Sequence, residues 1–142
     1  MKVFGDKDPK QNYHERPGAY GIILNNQIEI AIIKLPGGYF LPGGGCDQGE
    51  SAEATLKREV LEETGCKISI KKFIGKSGQY YFSRYRQRYV FKTGQFFECQ
   101  INPATCDPAK DHELVWMTTD LAVKNLNHSF QKWAVKEALS GI

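Results

Sequence analysis

The chain has 142 residues, the length of one folded domain, which argues against a second folded unit. Its apolar (41%), charged (25%) and aromatic (12%) fractions are ordinary for a soluble globular protein. A net charge of +3 is too small to announce a nucleic-acid partner by itself.

Residues 1–16 are polar, rich in Lys and Asp, and read as a loose or edge-packed arm ending at Pro17-Gly18, with the domain proper at 17–142. The N-terminus has no apolar h-region or cleavage-site pattern, and no stretch offers the roughly 18 uninterrupted apolar residues of a membrane span. A cytoplasmic protein with no membrane partner is the expectation. Cys46, Cys66, Cys99 and Cys106 contain no C-x-x-C pair and the histidines lie far apart, so neither a zinc site nor a redox motif is indicated. All four cysteines are expected to be free thiols in a reducing compartment.

Residues 19–24 and 28–33 are rich in β-branched side chains and flank Asn25-Asn26-Gln27, the pattern of a hairpin. Pro36-Gly37-Gly38 breaks the second strand, residues 39–41 form a short extended piece, and Pro42-Gly43-Gly44-Gly45 reads as a turn or loop. From Ser51 to Thr64 there is neither Pro nor Gly, and Gly65 falls where a left-handed C-terminal cap belongs, so a helix is predicted with Ser51 as its N-cap. Strands follow at 67–75, 79–82, 87–91, 95–101 and 114–117, separated by Ser77-Gly78, the basic segment around Arg84, Thr93-Gly94 and a polar loop at 102–112. Two helices close the chain, one opening near Thr119-Asp120 and one over 129–139. The result is an interleaved, mixed α/β domain with a long helix directly after a glycine-rich loop.

That helix gathers acids. At about 100° per residue, Glu59, Glu62 and Glu63 share one arc of its surface, with apolar Leu56 and Val60 on the flank. Acids at the border of a core need a partner for their charge. Arg58 can pair with Glu62 but cannot neutralise the whole group, whereas a hard divalent cation, which prefers oxygen ligands, can. A solvated helix face is the ordinary alternative for a Glu-Glu pair.

From Gly44 the order is Gly, five residues, Glu50, seven residues, Arg58-Glu59, Val60, one residue, Glu62-Glu63, one residue, Gly65. This resembles the signature of the Nudix hydrolases, the MutT-like family, at every fixed polar and glycine position; Cys66 stands where an aliphatic residue is usual and packs as a small hydrophobe. Leu41-Pro42-Gly43-Gly44 and Trp116 also stand where the family commonly has such residues. The resemblance implies an α/β fold, a Nudix-type α/β/α sandwich with a mixed β-sheet. It implies hydrolysis of a nucleoside diphosphate linked to another moiety, an NTP or a nucleotide derivative, with Mg2+ or Mn2+. It further implies that Glu59, Glu62 and Glu63, with the Gly43 carbonyl, are metal ligands, and that Glu50 and Arg58 are an orienting pair. Glu59 is the first choice as general base, with Glu98 and Glu113 as acids outside the motif.

Between Thr64 and Phe97 there is no acid, while basic residues interleave with aromatic ones from Tyr80 to Lys92. Such a mixture suits phosphates and bases, and Arg84 and Arg86 are candidates for substrate phosphate; the period-two pattern equally suits aromatics in the core and basics in water. Phe130 and Trp133 read as core, His112 and His128 as surface, and Cys46 as loop packing. Two other functions stay open: an RNA 5′-end pyrophosphohydrolase, and a nucleotide-binding module of the same fold without catalysis. The short chain disfavours the larger sugar-nucleotide hydrolases, and a monomer or homodimer is expected.

Overall fold

Residues 52–64 form helix α1 (Ala52–Thr64) in the computed structural model, which describes residues 1–107 and 114–140. The Ser51 hydroxyl accepts the Ala54 N–H at 3.1 Å, and Gly65 turns left-handed (φ 71°) to return its own N–H to the Leu61 carbonyl. Leu56 and Val60, one turn apart, are fully buried.

Among the described residues there are eight strands: β1 (Lys2–Phe4), β2 (His14–Ile23), β3 (Ile30–Leu35), β4 (Gly38–Phe40), β5 (Gly43–Gly45), β6 (Lys67–Ser83), β7 (Arg88–Asn102) and β8 (Leu114–Met117). Helices α2 (Thr119–Asn125) and α3 (Ser129–Ser140) close the described chain. A mixed five-stranded sheet has the order β1-β6-β7-β2-β5, in which β1 with β6 and β2 with β7 are parallel, and a second sheet has the order β4-β3-β8. Side chains alternate across β2 and β7, so each strand feeds two cores. Ala19, Ile23, Phe97 and Cys99 pack with Leu56 and Val60 of α1; Tyr20, Ile22 and Phe96 pack with Phe130, Ala134 and Val135 of α3. Sheet between helices is the α/β/α arrangement expected. Phe130 is core, with Trp133 packed against it. Among the described residues no helix is long and apolar enough to cross a membrane.

Several local expectations are corrected. Asn25 does organise a turn, its side-chain oxygen accepting the N–H groups of Gln27 and Glu29, but the flanking strands share a single bridge, Leu24 to Ile30, and then enter different sheets. Ser77-Gly78 and Thr93-Gly94 are not breaks: they lie inside the continuous strands β6 and β7. At Gly94 a Cβ would stand 2.9 Å from the rings of Phe96 and Tyr20, and at Gly78 3.0 Å from that of Phe91. These glycines make room for aromatic rings rather than for a change of direction. Gly43–Gly45, read as loop, is the edge strand β5, antiparallel to Gly18–Tyr20. Residues 2–4 of the arm add a strand beside Ser77–Gln79, and β2 starts at His14, upstream of Pro17.

The cysteines also depart from expectation. Cys66 and Cys106 form a disulfide, leaving Cys46 and Cys99 as the free thiols. The bond joins the residue after the Gly65 cap to the end of the Pro103–Thr105 turn, alongside a hydrogen bond from Asp107 N–H to the Gly65 carbonyl. No sequence spacing marks two cysteines brought together by strand pairing, and the free-thiol case for a reducing compartment no longer holds.

Gln131 ties α3 to the entrance of the glycine run. It is 1% exposed, and its Oε1 accepts the Leu41 N–H at 2.9 Å. Gln131→Leu leaves that amide buried and unpaired, and denaturant unfolding should show a loss of about 1–3 kcal/mol.

Candidate active site

Strand β5 lies along one side of α1, and glycine is what allows the contact. At Gly44 a Cβ would stand 2.6 Å from the Glu59 carboxyl carbon, and Gly43 (φ 137°) would drive one into the Ala19 carbonyl. Without side chains, the strand accepts carboxylates against its backbone. The Gly43 N–H donates to Glu63 Oε1 at 2.9 Å.

Arg58 organises the other acids. Its Nε and Nη2 donate to Glu50 at 2.7 and 3.0 Å, Nη1 donates to Glu59 Oε1 at 3.0 Å, and Nη2 reaches the Gly45 carbonyl at 3.2 Å. The contact with Glu62 is looser, at 3.4 Å, and that side chain is 59% exposed. Glu50 also accepts the Thr55 hydroxyl at 2.8 Å and the Asp47 N–H at 3.0 Å. The Arg58 hydrogen bonds, with those from Asp47 and Thr55, hold the Glu50 carboxyl down to about 2. Glu63 is the opposite case. Burial pushes it up to about 8, against the Gly43 hydrogen bond, with Glu59 and Glu62 adding repulsion. Burial also raises Glu59, opposed by Arg58.

Glu50, Arg58, Glu59, Glu62, Glu63 and Gly43 are thus brought to one place, whereas Glu98 is not. It pairs across from Ile22 and Lys72, on the face of β7 shared with Phe96, while α1 packs on the face of Phe97 and Cys99. Glu113 and His112 lie outside the described residues. Among the described residues no three His, Cys, Asp or Glu side chains are gathered into a ready-made metal cage. The donor chemistry still fits a hard cation: the groups are all oxygens, Glu63 has no cationic partner among the described residues, and exposed Glu62 is free to turn from its long contacts.

Beside Glu63 a cavity of about 210 Å3 is lined by Tyr20, Phe40, Leu41, Gly43 and Lys92, among others. Hollows of about 390–410 Å3 open elsewhere, but the smaller cavity is lined by both a motif acid, Glu63, and a cation, Lys92. Lys92 stands at the β2 register position of Arg16. Of the two arginines singled out in the sequence, both exposed in the β6–β7 turn, Arg86 influences Lys92, Tyr81 and His14 by its charge, while Arg84 gives its carbonyl to Gln87 within the turn. His128, expected at the surface, is half-buried among Phe40, Tyr81 and Phe130, and burial, helped by Lys92, lowers it to about 4. Tyr20, Arg16, Lys92 and His128 were not singled out as site residues by sequence, because the β2–β7 pairing and the α3 packing that assemble them are long-range.

Glu50 titrates near 2 in the folded chain against an ordinary 4.5, so its stabilisation is complete above 4.5 and is lost as pH falls towards 2. Thermal melts should therefore show Glu50→Gln less stable than the parent near neutral pH, with the gap closing through that acidic window. A gap independent of pH would rule out the ion pair as its source.

The profile of the NUDIX domain family matches residues 14–139. The Bacillus subtilis (strain 168) protein named "Putative 8-oxo-dGTP diphosphatase" is 43% identical over 60 residues, covering 41% of this chain and 40% of that one, so the match spans less than half of either. Among solved structures, the E. coli dihydroneopterin triphosphate pyrophosphohydrolase superposes with a TM-score of 0.71 at 14% identity, covering 92% of this chain and 99% of that one. A NUDIX hydrolase from Nitrosomonas europaea gives a TM-score of 0.70 at 17% identity, covering 90% of each chain. These identities speak for the fold, and the profile, running from His14 to Leu139, for the kinship: the chain belongs to the Nudix hydrolase family.

Proposed function

We propose that the chain hydrolyses the diphosphate bond of a nucleoside diphosphate linked to another moiety, an NTP or a nucleotide derivative, by attack of water on phosphorus. The observation that carries this reading is the convergence of Glu59 and Glu63 on the bare backbone of Gly43-Gly44, braced by Arg58 and Glu50. Glu59, Glu62, Glu63 and the Gly43 carbonyl are the groups that would hold Mg2+ or Mn2+. When bound, such a cation screens the pyrophosphate charge and supplies hydroxide near neutral pH.

The chain's own residues do the rest. Glu50 and Arg58 keep α1 and β5 in register, so that the carboxylates face the substrate side of the strand. The Gly43 N–H holds one Glu63 oxygen and leaves the other for a ligand. Glu59 is the general base in this reading: burial raises its proton affinity towards working pH, and it is anchored to Arg58 through one oxygen. Glu98, opposite Ile22 and Lys72 on the face of β7 turned away from the α1 core, has no hydrogen bond to the carboxylate cluster among the described residues.

An RNA 5′-end substrate has one observation in its favour. Tyr85 is 93% exposed between Arg84 and Arg86, offering a ring and charges to a single strand. Turnover of triphosphate-ended RNA with steep salt dependence would favour it over a free nucleotide.

A Mg2+-dependent hydrolysis screen across canonical and oxidised nucleoside triphosphates, dinucleoside polyphosphates and sugar nucleotides tests the proposal. Activity should disappear on chelation, and Glu62→Gln should lose at least about 100-fold, since even outer-sphere partners of a metal typically contribute 10–100-fold. The variant should melt no lower than the parent without metal. Normal turnover in Glu62→Gln would remove Glu62 from the ligand set. Nucleotide binding with no hydrolysis of any substrate would leave a binding module.

A further inference from the structure

Two hydrogen-bond donors in the cavity beside Glu63 lack an acceptor. The Tyr20 hydroxyl, in a side chain 3% exposed, has no hydrogen-bond partner among the described residues. It stands near Glu63, Arg16 and Tyr81, all close enough to act on it electrostatically. The Lys92 ammonium, half-buried on the same wall, makes no ion pair or side-chain hydrogen bond with any described residue. A desolvated cation without a partner is costly, and a buried hydroxyl without one costs about 1–3 kcal/mol. Lysine has three donors and no acceptor, so what completes this wall is an acceptor carrying negative charge.

The positive charge does not stop at Lys92. Arg16 is its neighbour across the β2–β7 pairing, with a guanidinium nitrogen 3.5 Å from where a Cβ of Gly45 would be. Arg86 and Arg88 continue the strip towards His14. These groups repel one another: burial first, then Arg16 and Arg86, lower Lys92 to about 8, and Arg88 leads the lowering of His14. The same cavity is lined by the Glu63 carboxylate, and Glu59 acts on Lys92 by its charge. A substrate lying between a wall that calls for cations and a wall of unpaired cations must carry negative charge beyond the bond being cleaved.

We infer that Tyr20 and Lys92, with Arg16 beside them, bind a phosphate beyond the diphosphate being cleaved, so that they select substrates whose diphosphate continues into further phosphate, a nucleoside triphosphate or longer chain, over those ending in an uncharged sugar. This rests on the pyrophosphohydrolase reading and assigns its specificity to residues outside the carboxylate motif. Lys92 and Tyr20 touch the phosphate chain and take no part in proton transfer.

The test compares the parent protein with Lys92→Met, which keeps the apolar stem, Lys92→Arg, which keeps the charge, and Tyr20→Phe, which keeps the ring stacked on Phe96 and edge-on to Phe130. Calorimetry in Mg2+ buffer measures inorganic tripolyphosphate against inorganic pyrophosphate, and kcat/KM is measured for nucleoside triphosphates and nucleoside diphosphate sugars. The parent should prefer tripolyphosphate. Lys92→Met should lose about 10–100-fold in that affinity, Tyr20→Phe about 2–10-fold, and Lys92→Arg should retain part of the preference. The loss should appear in KM for triphosphates and leave diphosphate sugars nearly unchanged. Lys92→Met should also melt at or above the parent's temperature, since it removes an unpaired cation. Equal affinity of the parent for tripolyphosphate and pyrophosphate, or equal losses for both substrate classes in the variants, overturns the inference. Tripolyphosphate preference without turnover of any nucleotide would uphold the phosphate site and overturn the hydrolase reading instead.

Discussion

The guanidinium of Arg58 directs its donors to Glu50, Glu59 and the Gly45 carbonyl, and the acidic side of the molecule depends on that one group. Like charges three or four residues apart on a helix repel. Here the repulsion is divided unequally. Glu50 is fully paired and strongly acidic, Glu59 is half-compensated, and Glu63 faces away from the arginine into a cavity where burial favours its proton. Three chemically identical side chains thus occupy three electrostatic states, set by how deeply each is buried and how fully Arg58 pairs with it. Because Arg58 also grips β5, the same contact fixes the strand that carries Gly43 and Gly44, so helix, loop and charge pattern are one construction.

What could be read from the sequence follows from how local each feature is. The span from Glu50 to Gly65 is governed by helix geometry and capping, which act over three or four residues, and Ser51, Gly65 and the shared face of the glutamates stand as expected. The same holds for the separation of Leu56 and Val60 from the acids. Ser77-Gly78 and Thr93-Gly94 look like punctuation to any local rule, yet their absent side chains answer to rings of Tyr20, Phe91 and Phe96 that arrive from elsewhere in the chain. Lys92 was one basic residue among many until strand pairing set Arg16 beside it and the fold put Glu63 in the same cavity. The Cys66–Cys106 bond belongs to this second kind: its two ends meet only because β6 and β7 fold back on each other.

The two long strands have a further role in placing charge. Each alternates between the α1 core and the α3 core, so a residue's position in the register decides which helix it meets. Glu98 falls on the face of β7 turned away from the α1 core, the face it shares with Lys92 and Phe96, and Tyr20, paired with Phe96, lines the cavity beside Glu63. The acidic helix and the basic strip approach the same space from opposite sides of β2, and the glycines of β5 keep that space open.

The Cys66–Cys106 bond closes a ring with a sequence separation of 40, and that ring contains the whole β6–β7 ribbon. The ribbon is therefore closed at both ends, by its basic turn at one and by sulfur at the other. In chain-entropy terms a loop of this size restricts the unfolded ensemble by about 4 kcal/mol. The restriction is placed unevenly: it keeps the strand bearing Lys92 tethered to the foot of the helix bearing Glu63 even when the sheet between them has come apart. A chain opening locally would thus lose the Gly43 to Glu63 contact, which depends on a single hydrogen bond, well before it lost the pairing of its two longest strands.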